Sequence, residues 1–303
     1  MRHILMLFVV IAICGPFGCS PSFSFSRKPP AASDVIKDEP APKPSPKPVE
    51  VVDAEAGRAK LFDIATKGSC AGKTYKEQGK APQGYLKGLV LTYAKLICEK
   101  DQDPIGKQVY DIATGPLGDP SKDALAHYGL KPEKPTDRLN SVFAMMIGSN
   151  ARESSWRPCV GRDVAAKASD VKGCLYGGGE TCEAGLAQTS FNSIPKEGPL
   201  KELFEAYLEY PRGCFEPEYY GKTTCSAANW KNHGTNPKAV AFQALSKSCP
   251  GFTVESGLIM FRTKRTHYGP LNKKQAEVHP ECVSMFEQVR QAIMTQPSLC
   301  FVL

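Results

Sequence analysis

Asp137-Arg138-Leu139-Asn140-Ser141-Val142-Phe143-Ala144-Met145-Met146-Ile147 is the stretch on which the fold turns. Leu139, Val142, Phe143, Met146 and Ile147 fall at i, i+3, i+4, i+7 and i+8, which is one apolar face of a helix. Thr136 or Asp137, directly after Pro135, is expected to cap its start. Glu153-Ser154 lies just past the periodic run, so Glu153 is expected near the helix C-terminus. The negative end of the macrodipole opposes ionisation there and is expected to raise the carboxyl pKa. A carboxyl kept protonated near neutral pH is what a general acid requires. The ordinary alternative is a solvated glutamate paired with Arg152 or Arg157.

Outward from this helix the globular part carries mostly helical signals, and strand-like alternation is scarce, so a mostly α fold is expected. Helices are predicted over 53–66 and 84–99, and a short one around 123–128 in an otherwise Pro- and Gly-rich interval from 101 to 135. Leu200, Leu203, Phe204, Tyr207 and Leu208 mark another helix, stopped by Pro211. Pro237 suits the first turn of a helix capped by Asn236. A short helix is predicted over 254–261, and Cys282, Met285, Phe286, Val289 and Ile293 define the last long one. Gly177-Gly178-Gly179 reads as a flexible hairpin tip and lacks the Lys-Ser/Thr ending of a phosphate loop.

The N-terminus reads as an export signal: Arg2 and His3, then an apolar run from Ile4 to Cys14. That run is shorter than the roughly 20 residues a membrane-spanning helix needs. Residues 1–19 are therefore assigned as a signal peptide or lipoprotein signal, with Cys19 as the candidate lipid-modified residue. Residues 20–50, rich in Pro, Lys, Ser and Ala, form a linker of extended character. Cys14 and Cys19 belong to the export segment; the remaining ten of the 12 cysteines suggest disulfides formed in an oxidising compartment, with open connectivity. The expected location is the periplasm, the outer membrane as a lipoprotein, or the exterior. A net charge of +7 without a basic block is weak evidence for nucleic-acid binding and favours loose attraction to anionic polymers of a cell wall or to membrane surfaces. His233, His267 and His279 are scattered, and no zinc-ligand spacing occurs, so neither metal nor cofactor is expected. An even cysteine count argues against a Cys/His peptidase, which needs a free thiolate.

Gly185-Leu186-Ala187-Gln188-Thr189 follows Glu153-Ser154 by some thirty residues. The two motifs in this order resemble the lysozyme-like superfamily of goose-type lysozymes and lytic transglycosylases, glycoside hydrolase family 23. There is also a likeness to periplasmic lysozymes of predatory bacteria that act on deacetylated peptidoglycan. The resemblance covers about 137–294. It implies a lysozyme-like, disulfide-stapled fold with minimal β structure over 136–303, with 51–135 as a helical region packed on it.

It further implies cleavage of peptidoglycan glycan strands, with Glu153 as general acid and then base, to a hydrolysed or an anhydro product. Ser154, Gln188 and Thr189 would contact substrate, using groups that both donate and accept. The interval between the motifs is longer than the family usually shows and holds Cys159, Cys174 and Cys182, so it is read as a stapled insertion bordering the groove. The family's Ala-Tyr-Asn-x-Gly run is absent; Arg265 to Pro270 takes its place, with Tyr268 as candidate for the tyrosine that bonds the catalytic carboxyl in relatives. The alternative for Tyr268 is a packed aromatic with its hydroxyl at the surface.

No carboxylate partner is obligatory, because the substrate N-acetyl group can assist; Asp163, Asp170, Glu180 and Glu183 are the candidates if one exists. Glu197, Glu202, Glu205, Glu209, Glu216 and Glu218 make a locally acidic stretch. If it borders the groove, it favours de-N-acetylated, cationic sugars. The expected protein is a monomeric enzyme. The alternatives are a catalytically silent wall-binding protein and a structural envelope lipoprotein.

Overall fold

The computed structural model describes residues 53–162, 168–210 and 212–303. The export signal with Cys19, the whole 20–50 linker, Asp163 and Pro211 lie outside the described residues. All described residues belong to one compact unit.

The unit is mostly helical. α1 (Ala54–Lys67) starts at Asp53, whose carboxylate accepts from the Glu55 amide. A two-stranded antiparallel hairpin follows, β1 (Thr74–Tyr75) with β2 (Gly79–Lys80), pairing Thr74 with Lys80 and Tyr75 with Gly79. α2 (Gln83–Glu99) is buried along most of its length. α3 (Pro104–Thr114) occupies part of the interval expected to be irregular. Its start signal is in the sequence: Asp103 caps it and Pro104 takes the first turn. α4 (Ala124–His127) is capped by Asp123, as the short helix expected there requires.

α5 (Pro135–Ser154) carries the decisive periodicity. Leu139, Val142, Phe143, Met146 and Ile147 are all fully buried. The expected cap is corrected: Pro135 itself is at the first turn, and neither Thr136 nor Asp137 caps, the preceding Lys134 contributing no side-chain bond. α6 (Ala168–Tyr176) lies inside the interval between the two motifs. α7 (Pro199–Glu209), α8 (Glu216–Tyr220) and α9 (Ala227–Trp230) lead to α10 (Pro237–Ser248), which Asn236 caps through the Lys238 amide. α11 (Pro250–Thr263) is longer than the short helix expected there, and nearly every residue in it is buried. A helix walled in on all sides has no polar face, so periodicity could not reveal its length. α12 (Gly269–Asn272) and α13 (Pro280–Thr295) complete the set.

α11 is the central rod, touching α2, α3, α5 and α7, while α13 lies across α5 and α2. Two ion pairs are enclosed with it. Lys95 Nζ meets Glu255 Oε1 at 2.5 Å. Arg262 meets Asp123 at 3.0 Å and donates to the carbonyls of Ala113, Gly115 and Pro116. This arginine satisfies carbonyls in the last turn of α3 and just past it, so it fixes where that helix stops.

All ten cysteines of the globular part are paired: Cys70–Cys282, Cys98–Cys300, Cys159–Cys225, Cys174–Cys182 and Cys214–Cys249. Two of these staple the interval between the motifs, one internally and one outward to Cys225. The glycine run is not a free hairpin tip. Gly179 is buried, and a Cβ there would lie 2.2 Å from the His233 carbonyl oxygen.

Candidate functional site

Glu153 sits in the last turn of α5, half-buried. The helix ends abruptly because Ser155 (φ 51°) and Trp156 (φ 58°) are both left-handed. The Ser155 amide donates back to Ala151 and Asn150 carbonyls, closing the helix end. Trp156 then folds its ring under the helix, where its indole donates to the Ile147 carbonyl at 2.9 Å. Tyr75 and Tyr85 pack on that ring. Consecutive left-handed non-glycine residues are costly, and buried contacts of this kind are what hold them. Glu153 is thereby placed on a rigid corner.

The two arginines next to it in sequence have partners of their own. Arg152 reaches Glu77 at 3.0 Å and Glu277 at 3.8 Å, and the Arg157 side chain donates to the Ser154 carbonyl.

The second motif forms a tight turn. Ala184 and Thr189 form an antiparallel bridge, with the Ala184 amide donating to Thr189. Gly185 (φ 76°) and Gln188 (φ 45°) are left-handed within it. The turn is attached to the chain leaving α5: the Gly185 amide donates to the Val160 carbonyl at 2.9 Å, and Gln188 Nε2 lies 3.4 Å from the same oxygen. Gln188 Nε2 also donates to Gly185 at 2.9 Å. The amide nitrogen therefore braces its own turn, and the remaining hydrogen-bonding capacity of Gln188 is on its oxygen. Thr189 is buried. Ser154 is buried too, and its hydroxyl donates back to the Asn150 carbonyl.

Tyr268 lies inside the protein, 1 % exposed, packed edge-on against Phe261 with its hydroxyl toward Met260 Sδ at 3.7 Å. Its hydroxyl is not at the surface. Burial, and then the nearby negative charge of Glu153, push the phenol well above its usual range. Tyr268 is thus an electrostatic neighbour of Glu153. His267, beside it, has Nδ1 3.5 Å from Ser193 Oγ, four residues past Thr189. The turn is thus bonded to the chain that leaves the helix end, Ser193 beyond it meets His267, and Tyr268 feels the charge of Glu153.

Of the other carboxylates, Glu180 accepts from Asn236, which holds its pKa below the usual value, and Asp170 lies in the first turn of α6. The acidic stretch divides. On α7, Glu205 pairs with Lys201 and Lys238, and Glu202 accepts from Gln108. Glu216 and Glu218 border grooves beside α8 instead.

Several residues escaped the sequence reading. Asn150, three positions before Glu153, donates to the Tyr85 hydroxyl at 3.1 Å. Gln78, on the hairpin, accepts from Ser155 at 2.7 Å, and Glu77 lies beside it on Arg152. No local signal marks these residues, because each matters only through a partner distant in sequence. Among the described residues no group of three or more His, Cys, Asp or Glu side chains could hold a metal ion, and no helix is long and apolar enough to cross a membrane. No protein-family model, curated protein or solved structure matches the chain.

Proposed function

We propose that this protein cleaves the glycan strands of bacterial peptidoglycan, with Glu153 as the general acid and base. The observation that carries the reading is the corner itself: Glu153 on the last turn of buried α5, Tyr268 in its field, and the Gln188 turn bonded to the chain that leaves the corner.

The chemistry follows from that arrangement. On this reading Glu153 enters the reaction protonated, as a general acid must. Glu153 gives that proton to the glycosidic oxygen as the C–O bond breaks and its electron pair stays with the leaving sugar. The substrate's own N-acetyl oxygen supports the cationic carbon. Glu153, now a carboxylate, takes a proton from water or from the sugar's 6-hydroxyl as the new C–O bond forms. Gln188 offers its carbonyl oxygen to a substrate amide or hydroxyl. Export to the cell envelope fits the five disulfides, which persist in oxidising compartments.

Glu153→Gln tests this. It keeps the shape and removes the proton donor, so clearing of purified walls should fall by roughly 100-fold to 10,000-fold while wall binding persists. Clearing at the wild-type rate would reject the assignment. An unsubstituted protein that binds walls and releases no fragments would instead identify a silent wall-binding protein.

A further inference from the structure

A groove of about 770 Å³ runs between the start of α2 and α8, and a second of about 440 Å³ adjoins it, sharing Pro217, Tyr220 and Thr223. Glu153 is not part of either lining. Trp230, 42 % exposed, stands in the second groove with its ring 5.9 Å from that of Tyr220 and tilted by 31°. Glu216, Thr223, Gln83 and Lys87 add polar groups along the walls. We propose that this groove is a second saccharide-binding site, which seats a stretch of glycan strand on the Tyr220–Trp230 platform.

The lining has the chemistry of sugar recognition. A pyranose ring presents aliphatic C–H groups on its face and hydroxyls on its rim. Aromatic planes take the face, and carboxylates, amides and hydroxyls take the rim. The volumes lie within the roughly 300–1,000 Å³ of small-ligand sites.

The platform is pre-set by one side chain. Lys247 is buried, and its Nζ donates to the carbonyls of Asn229 and Lys231 at 3.0 Å each, clasping the backbone on both sides of Trp230. The Lys247 carbonyl accepts from the Tyr220 hydroxyl. One lysine therefore orients both rings, and it is a positioning residue. Such fixing before binding limits the entropy lost when a ligand arrives.

The site is also tied to the candidate active site. Cys225, in the groove lining, is bonded to Cys159, six residues past Glu153. The Asn229 backbone lies against Gly161, and the Gln188 turn holds the adjacent Val160. The segment 159–161 thus has the aromatic platform on one flank and the candidate substrate turn on the other. That the strand comes from peptidoglycan rests on the proposed function; that a sugar ring sits on Trp230 rests on the groove alone.

The chain has two tryptophans, and Trp156 is buried, so collisional quenching of fluorescence by acrylamide reports on Trp230. Peptide-free glycan strands are added to the Glu153→Gln protein, which should leave them uncut. Binding should shield Trp230 from the quencher. In calorimetry Trp230→Ala should bind about tenfold more weakly, with Trp230→Phe recovering much of the loss. Lys247→Met should weaken strand binding like Trp230→Ala and make Trp230 more accessible before any ligand is added. Unchanged quenching at saturating strand, or equal affinity of Trp230→Ala, would overturn the proposal. Failure of the Glu153 assignment appears separately, as wall clearing by Glu153→Gln, and leaves the Trp230 readout intact.

Discussion

The amide of Asn150 donates to the hydroxyl of Tyr85 at 3.1 Å, linking the last turns of α5 to the start of α2. The Asn150 carbonyl oxygen of the same residue's backbone meets the Ser155 amide and the Ser154 hydroxyl. One residue therefore sets both the end of the helix and its attachment to the neighbouring helix. Tyr85→Phe removes the acceptor and leaves a buried amide unmet. The expected loss is roughly 1–3 kcal/mol of unfolding free energy. Chemical denaturation checks it, and wall clearing should fall as well if the corner positions Glu153.

Gly185 is left-handed at φ 76°, and a Cβ there would lie 2.2 Å from the Ser246 carbonyl oxygen. Gly185→Ala combines strain with collision against backbone. It should cost about 2 kcal/mol or more and displace the Gln188 turn from Val160. Wall clearing is then expected to fall further than the stability loss explains at temperatures where the variant is still folded.

Cys98–Cys300 closes a separation of 202 residues, whereas Cys174–Cys182 closes one of 8. Restriction of the unfolded chain grows with loop length; with Cys70–Cys282 intact the loop that Cys98–Cys300 closes is shortened through that bridge, giving about 4 kcal/mol against about 2.5 kcal/mol for Cys174–Cys182. The Cys98→Ser/Cys300→Ser double variant should therefore melt at a lower temperature than Cys174→Ser/Cys182→Ser, as calorimetry would show.

Burial pushes the phenols of Tyr85, Tyr93, Tyr207, Tyr219 and Tyr268 well above the usual range. In the unfolded chain they ionise near pH 10, so above that pH the native state holds more protons. Their contribution is fully present below about pH 10 and is lost as pH rises further. Lys247 acts in the opposite sense. Burial lowers its ammonium to about 8, so between there and its ordinary value of 10.5 the unfolded state binds more protons and this contribution rises with pH. Denaturation midpoints between pH 7 and 12 should show a steep alkaline loss. Lys247→Met should remove a small gain between about pH 8 and 10.

At the acid end the partners of Glu287 decide the sign. The hydrogen bond from Arg290, then those from Gln291 and Asn140, hold its carboxyl down to about 2. That stabilisation is present above the ordinary value of 4.5 and is lost as pH falls toward 2. Arg290→Met should make unfolding between pH 5 and 2 less dependent on this carboxyl, which an acid titration followed by circular dichroism would detect.

The amphipathic helices were legible because each has one wet face. Leu139 to Ile147, Leu200 to Tyr207 and Cys282 to Ile293 show in their spacing the side they bury, whereas Leu208, expected on the same face, is exposed. α3 was missed although Asp103-Pro104 announces it, because the surrounding Pro and Gly residues obscured a short periodic run. α11 was cut short because a helix buried on every side has no period to read. The position of Glu153 at a helix end follows from local sequence; its link to Tyr268 does not.

Sequence alone determined the helical class, the even set of cysteines and the placing of Glu153 at the end of the α5 run, because propensity, periodicity and charge act over a few residues. Tertiary structure decided which cysteines pair, that Tyr268 is interior and near Glu153, and that Lys247 clasps the backbone around Trp230. These relations join residues far apart along the chain. They exist only once the buried helices have fixed the distances between them, and no local pattern encodes such distances.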